Sequence, residues 1–204
     1  MQRNTMALSN PTPGPVVVIG GSNIDHKSQT FGSAIAGTSN PGRSRSTLGG
    51  VGRNIAENLA RMGARTTLLT AVGDDADGTR LLQDTAAAGV DVSCAVRSLG
   101  STGSYTAILD ERGDLIIAVA SMGAMMSLSA EAIAACSDII ATARVLVLDC
   151  NVPEAALLHA AEIAMMNTVP VLVDPVSVAK SISIKTLLDA GLPLHTVTPN
   201  CDEL

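Results

Sequence analysis

Two short stretches of this chain combine side chains that can read hydroxyl groups with backbone that a ligand can approach. The first is Gly20-Gly21-Ser22-Asn23-Ile24-Asp25, directly after a Val/Ile run. A carboxylate accepts hydrogen bonds from two neighbouring hydroxyls, and a carboxamide both donates and accepts, so Asn23 and Asp25 suit a vicinal diol. The competing reading is an Asx turn that closes a strand. The second is Thr47-Leu48-Gly49-Gly50-Val51-Gly52-Arg53-Asn54-Ile55-Ala56. Gly49, Gly50 and Gly52 lack a Cβ, so peptide N–H groups there are open to a ligand. Asn54 falls in the first turn of the helix that follows. Without a ligand, the same stretch is a glycine turn with an Asn near a helix start.

Three further candidates lie where strands should end. Residues 144–148 read as a strand with Asp149-Cys150-Asn151 at its carboxyl end, which makes Asn151 another candidate hydroxyl reader. Residues 169–173 read as a strand running into Asp174-Pro175, and Asp174 is equally a site residue or a turn former. After a short strand at 194–197 comes Asn200-x-x-Glu203, which by itself reads as a helix N-terminus with acids on its dipole. Open α/β sheets bind ligands beyond the carboxyl ends of their strands, so all these positions are at the useful edge.

The elements that must hold them follow from periodicity and punctuation. Residues 15–19 form a continuous apolar run, as in a buried parallel strand. Ile55, Leu59 and Met62 fall on one face of the helix carrying Asn54, and Gly63 is a plausible left-handed stop. Residues 66–72 predict one strand, with Asp74 and Asp75 at a turn or helix start. A helix over 78–88 stopped by Gly89 and a strand over 90–96 follow. Residues 104–109 and 115–120 flank Asp110-Glu111-Arg112-Gly113-Asp114, a hairpin signal that leaves the βα rhythm. Met122, Met125 and Met126 read as adaptable packing. Ser129 should cap a single Ala-rich helix to residue 141, with Glu131 in its first turn. Helices over 154–166, after Pro153, and over 184–190, before Gly191, complete the pattern. Alternating strands and helices predict an α/β fold with a mainly parallel sheet.

Composition limits the function. A chain of 204 residues can bury one substantial core, and 47% apolar residues with one Phe, one Tyr and no Trp make that core aliphatic. A net charge of −6 argues against general binding to nucleic acid or anionic membranes. Arg43, Arg45 and Arg53 form a local basic cluster that could meet an anion, although solvated loop charge is the stronger reading for Arg43 and Arg45. The loop reading extends over the polar residues 26–46, where His26 is expected to be a solvated side chain. Cys94, Cys136, Cys150 and Cys201 are widely spaced, which fits reduced thiols in a cytoplasmic setting rather than a zinc site or disulfide framework. No apolar run reaches a membrane span, and residues 1–14 lack a signal-peptide core and read as a disordered tail. The first Gly-rich stretch also lacks the G-x-G-x-x-G of a dinucleotide site.

Gly50-x-Gly52-x-Asn54-x-Ala56, continued to Gly63 and Gly73, resembles the first signature of the ribokinase-like (PfkB) carbohydrate kinases. Together with Asn40-Pro41-Gly42-Arg43, it is most similar to the pseudouridine kinases within that family. The resemblance implies a ribokinase-like α/β domain over residues 15–204, with a small β lid built from segments about 27–47 and 103–120. It implies transfer of the γ-phosphate of ATP, with Mg²⁺, to the 5′-hydroxyl of a ribosyl group. Pseudouridine is the favoured acceptor; another nucleoside, ribose or a ketohexose stays open. On this resemblance Asn23, Asp25, Gly49, Gly50, Asn54 and Asn151 bind the sugar, and Asn200 and Glu203 order metal and phosphate. The implied partners are a small nucleoside or sugar and a second copy meeting through the lid, with neither nucleic acid nor membrane. The family's second signature, Gly-Ala-Gly-Asp, is absent, so its catalytic base has no candidate here and the domain is expected to be incomplete. The alternative is a non-catalytic nucleoside-binding or oligomerising module.

Overall fold

The computed structural model describes residues 14–203, so the expected tail at 1–14 lies, apart from Gly14, outside the described residues, as does Leu204. In chain order the elements are β1 (Val16–Ile19), β2 (Asn23–Thr30), β3 (Gly42–Gly49), α1 (Val51–Arg61), β4 (Thr66–Leu69), β5 (Ala71–Gly73) and α2 (Ala76–Ala87). They continue with β6 (Val90–Asp91), β7 (Val96–Ser98), β8 (Ser104–Leu109), β9 (Leu115–Ser121), α3 (Ala130–Ala134) and α4 (Ser137–Ala141). The last are β10 (Val145–Asp149), α5 (Glu154–Met166), β11 (Val171–Asp174), α6 (Ile182–Asp189) and β12 (Thr196–Val197).

A central sheet of six strands runs in the order β12-β11-β10-β1-β4-β6, and every pairing in it is parallel. Side chains alternate across a strand, and β1 shows the consequence. Val17 and Ile19 join Leu146 and Leu148 against Ile133, Ile140, Leu157 and Ala160 of α3, α4 and α5. Val18 faces the other way, with Leu68, Val147 and the α1 residue Ala56. Both faces are thus covered by helices, which is why β1 is apolar throughout. The core is aliphatic, as composition requires; Phe31 stands 70% exposed.

A second sheet, β3-β2-β8-β9, stands apart from the first. Its outer pairs are antiparallel, but its central pair, β2 with β8, is parallel. Strands therefore occupy much of the stretch read from composition as loop. His26 is on β2, with its Nδ1 2.8 Å from Ser46 Oγ, and is not a loop side chain.

Several boundaries differ from expectation for identifiable reasons. The strand expected over 66–72 breaks at Thr70, whose hydroxyl bonds Ser22 Oγ at 2.9 Å and whose carbonyl accepts from Val96, sending the chain into a separate pair, β5 with β7. The strand expected over 90–96 is likewise two, β6 and β7. The Ala-rich helix capped by Ser129 is two helices that hinge at Cys136, whose N–H bonds Ile133 O at 3.0 Å. Met62 does not anchor α1: it is the C-cap residue and 76% exposed, while Ile55 and Leu59 pack inward as expected. Gly63 does stop the helix, at φ 87°.

Asp75 begins α2 earlier than the pattern suggested. Its Oδ1 accepts from Gly78 N at 2.7 Å and from Thr102 Oγ1 at 2.5 Å, and its Oδ2 accepts from Thr102 N at 2.8 Å. The Thr102 hydroxyl bond leads in holding this carboxyl below the usual carboxylate range. A lowered folded pKa contributes stability above the unfolded pKa and loses it as pH falls through the folded value. Asp75→Ala should therefore lower unfolding free energy by about 1–2 kcal/mol near neutral pH, a cap's usual contribution. The difference from the parent chain should shrink below about pH 4. Urea titrations across that range measure it, and a pH-independent difference would count against the cap.

Candidate functional site

The order of the central sheet reverses at β1. From there the chain runs to β4 on one side, and its later strands add β10, β11 and β12 on the other. Such a switch point opens a crevice at the carboxyl ends of the two strands that flank it. Here the crevice is formed by Gly20-Gly21 after β1, Asp149-Cys150-Asn151 at the end of β10, and the start of α1.

These three segments meet closely. Gly50, the N-cap of α1, has φ 98°, a left-handed conformation that favours glycine, and a Cβ there would fall 2.5 Å from Ser22 Cα. A Cβ on Gly52 would fall 2.5 Å from Gly20 Cα. Without a capping side chain, α1 turns its first N–H groups toward other segments. Arg53 N donates to Gly21 O at 3.1 Å, and Gly52 N donates to the Asp149 carboxylate. That carboxylate is fully buried and also accepts from Gly21 N and Asn151 N, both at 2.8 Å. Burial pushes the Asp149 carboxyl up, while the three backbone N–H groups pull it down; burial prevails.

The structure gives the candidate hydroxyl readers distinct hydrogen-bonding senses. Asn23 is buried and its Nδ2 donates to Asp25 Oδ1 at 2.6 Å, which leaves Asn23 Oδ1 and Asp25 Oδ2 as acceptors. The Asp25 carboxylate lies over Gly49, where a Cβ would be 2.7 Å from it. Asn54 is exposed, and its Oδ1 accepts from Arg53 Nη2 at 2.6 Å, leaving Nδ2 as a donor. Asn151 packs against Gly21, and its Oδ1 accepts from Lys180 Nζ, so it too offers an N–H. A sugar hydroxyl both donates and accepts, so two acceptor groups and two donor groups around one crevice match a diol.

The other expected positions separate. Asp174 pairs in register with Asp149 at the same sheet edge, but its Oδ1 accepts from Val176 N at 2.9 Å, the turn-forming alternative. Asn200 and Glu203 follow β12 and bind each other: Glu203 Oε1 accepts from Asn200 Nδ2 at 2.8 Å, and Asn200 Oδ1 accepts from Glu203 N at 3.1 Å. Glu203 Oε2 also accepts from Asn200 N at 3.0 Å, and this bond with that from Glu203 N is the reciprocal pair of a capping box. Among the described residues, no group of three or more His, Cys, Asp or Glu side chains could hold a metal ion. Arg43 and Arg45 are exposed on β3, and Arg43 bonds Gln29. Arg53 is not an anion contact: it is 6% exposed and bonds Leu48 O, Gly49 O, Asn54 and Glu57. Cys150 is buried with its thiol pushed up to about 11, chiefly by desolvation, so it is no nucleophile at neutral pH.

Sequence reasoning overlooked Asp149 and Lys180 and misread Arg53. The Arg53-x-x-x-Glu57 spacing on a helix was a legible signal for an internal pair. Nothing in the spacing of Lys180 connects it to Asn151.

Asp149→Asn would set an amide NH₂ against backbone N–H donors. It should destabilise the fold by about 1–3 kcal/mol, the cost of leaving buried partners unsatisfied, as measured by chemical denaturation. Unchanged stability would remove the carboxylate as the clasp of the crevice.

Residues 15–204 match the pfkB family carbohydrate kinase description. The pseudouridine kinase of Escherichia coli is 40% identical over 186 residues, 91% of this chain and 58% of that protein. The chain thus spans little more than half of that relative. A solved carbohydrate kinase from Agrobacterium tumefaciens superposes with a TM-score of 0.80 at 31% identity, covering 86% of this chain and 58% of the other. The Arabidopsis thaliana ribokinase, solved with ribose and ATP, shares the fold at a TM-score of 0.70 and 22% identity, with coverages of 79% and 53%. With its parallel sheet, its Gly-rich entry into α1 and these matches, the chain belongs to the pfkB family of carbohydrate kinases.

Proposed function

We propose that this chain carries the sugar-reading part of a kinase that moves the γ-phosphate of ATP to the 5′-hydroxyl of a ribosyl group, with pseudouridine as the favoured acceptor. The observation that carries this reading is the hydrogen-bonding sense of the crevice. Asn23 and Asp25 offer acceptors, Asn54 and Asn151 offer donors, and Gly49 and Gly50 let the sugar approach the backbone. The likeness to the E. coli pseudouridine kinase supports the choice of acceptor. The sheet β3-β2-β8-β9 carries Asp25 and acts as a lid that keeps water from the transferring phosphate. Asn200 and Glu203 offer the hard oxygen atoms that Mg²⁺ requires and would hold it through waters. The ion would neutralise charge on the phosphates. The four cysteines are free thiols, in keeping with a reducing cytoplasm.

The lid also serves as the contact with a second copy. β9 is an edge strand whose Leu115, Ile116, Ile117 and Val119 are 57%, 48%, 58% and 62% exposed. An apolar, unpaired edge of this kind is a surface for pairing.

Calorimetry with pseudouridine, uridine and ribose, with and without MgATP, tests the function. Pseudouridine should bind, and Asp25→Ala should weaken it about 100-fold, as expected for two charge-assisted bonds of about 1.5 kcal/mol each. A folded chain that binds none of the three would refute the reading. ADP formation would exclude the alternative of a non-catalytic module. Sedimentation should show a dimer that Ile117→Lys with Val119→Lys converts to monomer; an unchanged dimer would place the contact elsewhere.

A further inference from the structure

The loop after β11 folds back over the loop after β10. Cys150 N donates to Asp174 O at 3.0 Å, and Asp174 Oδ1 accepts from Val176 N. Ser177 N then donates to Pro175 O at 2.7 Å, closing a three-residue turn with Val176 at its centre. Val176 has φ 67°, and a β-branched residue in that region is strained. Such strain persists only where surrounding contacts enforce it, and it gathers at sites of function. The turn is followed by Lys180 N and Ser181 N donating to Ser177 O at 3.0 Å, which directs the chain toward Asn151. There Lys180 Nζ donates to Asn151 Oδ1.

A carboxamide can present either its carbonyl or its NH₂ to a ligand, and the two have opposite meaning for recognition. At Asn151 both ends have neighbours. Lys180 takes the carbonyl oxygen, and the amide bonds toward the Asp149 carboxylate on its other side. A lysine ammonium only donates and a buried carboxylate drawn by three N–H groups only accepts, so both favour one orientation. One N–H of the Asn151 NH₂ is left for the crevice beside Gly21.

We propose that Lys180 is a positioning residue of the candidate sugar site: by holding Asn151 Oδ1 it makes Asn151 an obligate donor, which meets an oxygen lone pair of a ligand hydroxyl. This rests on the sugar-binding reading above, but the contact itself can be tested without a ligand. In ¹⁵N-labelled protein, the side-chain amide signals of Asn151 are those lost in Asn151→Ala. They should shift in Lys180→Met and return toward their original positions in Lys180→Arg. In calorimetry, Lys180→Met should weaken pseudouridine about tenfold with no change in melting temperature, and Lys180→Arg should recover most of the loss. Across the 2′-deoxy and 3′-deoxy analogues, the one lacking the hydroxyl that meets Asn151 should bind Lys180→Met and the parent chain equally. Unmoved Asn151 signals in Lys180→Met would overturn the proposal, as would equal weakening of every analogue. If the parent chain binds no nucleoside, the kinase reading fails, and the amide spectra alone decide whether Lys180 holds Asn151.

Discussion

The buried carboxylate of Asp149 is the constraint on which the crevice depends. An ionisable group taken wholly out of water is unfavourable unless its oxygens are met, and here backbone N–H groups of Gly21, Gly52 and Asn151 meet them. The three donors belong to the end of β1, the start of α1 and the loop after β10, which are remote in sequence. One side chain therefore fixes their relative positions. It also replaces the cap that Gly50 cannot supply, placing hydrogen-bond acceptors at the start of α1. The space this leaves is narrow, and the glycines at 20, 50 and 52 are what allow the segments to close around it.

The side chains offered to a ligand are oriented by a second set of contacts. Asp25 turns the Asn23 amide, Arg53 turns that of Asn54, and Lys180 turns that of Asn151. Each amide could in principle present either end, and each has one end occupied by a partner of a single sense. Arg53 is the most economical of these partners, since the same guanidinium holds Leu48 O and Gly49 O and ties the end of β3 to the helix it precedes. The bonds that orient these candidate hydroxyl readers thus also tie neighbouring segments together.

Much of this architecture was legible in the sequence because it follows from local rules. The apolar run of β1 and the helix over 154–166 reflect burial and periodicity, and Gly63, Gly89 and Gly191 end helices with the positive φ only glycine adopts freely. Asn23, Asp25 and Asn151 were placed at the right edge of the sheet because that edge follows from strand direction. Other features depend on contacts between distant residues. The Ala-rich segment gives no sign of its hinge at Cys136, since alanine favours a helix on either side. The strand at 66–72 divides because Thr70 is drawn to Ser22, a contact forty-eight residues away in sequence. The roles of Asp149 and Lys180 likewise exist only once β1, β10 and β11 lie side by side.

The parallel pairing of β2 with β8 has a bearing on how the molecule assembles. Parallel neighbours cannot be joined by a tight turn, and here Ile24 lies opposite Ser104, with β3, α1, α2 and four strands of other sheets between them. The entropy of closing that loop must be met before the pairing returns any free energy, so contacts of this separation form slowly. The β2–β3 and β8–β9 hairpins can each form from neighbouring chain, but their union waits for the intervening elements to be laid down. Asp25 sits on the seam of that union, opposite both Thr47 and Tyr105. Asp25, a candidate hydroxyl reader, therefore reaches its final surroundings late in folding, and a chain that has collapsed without this seam would hold its main core yet lack a formed crevice.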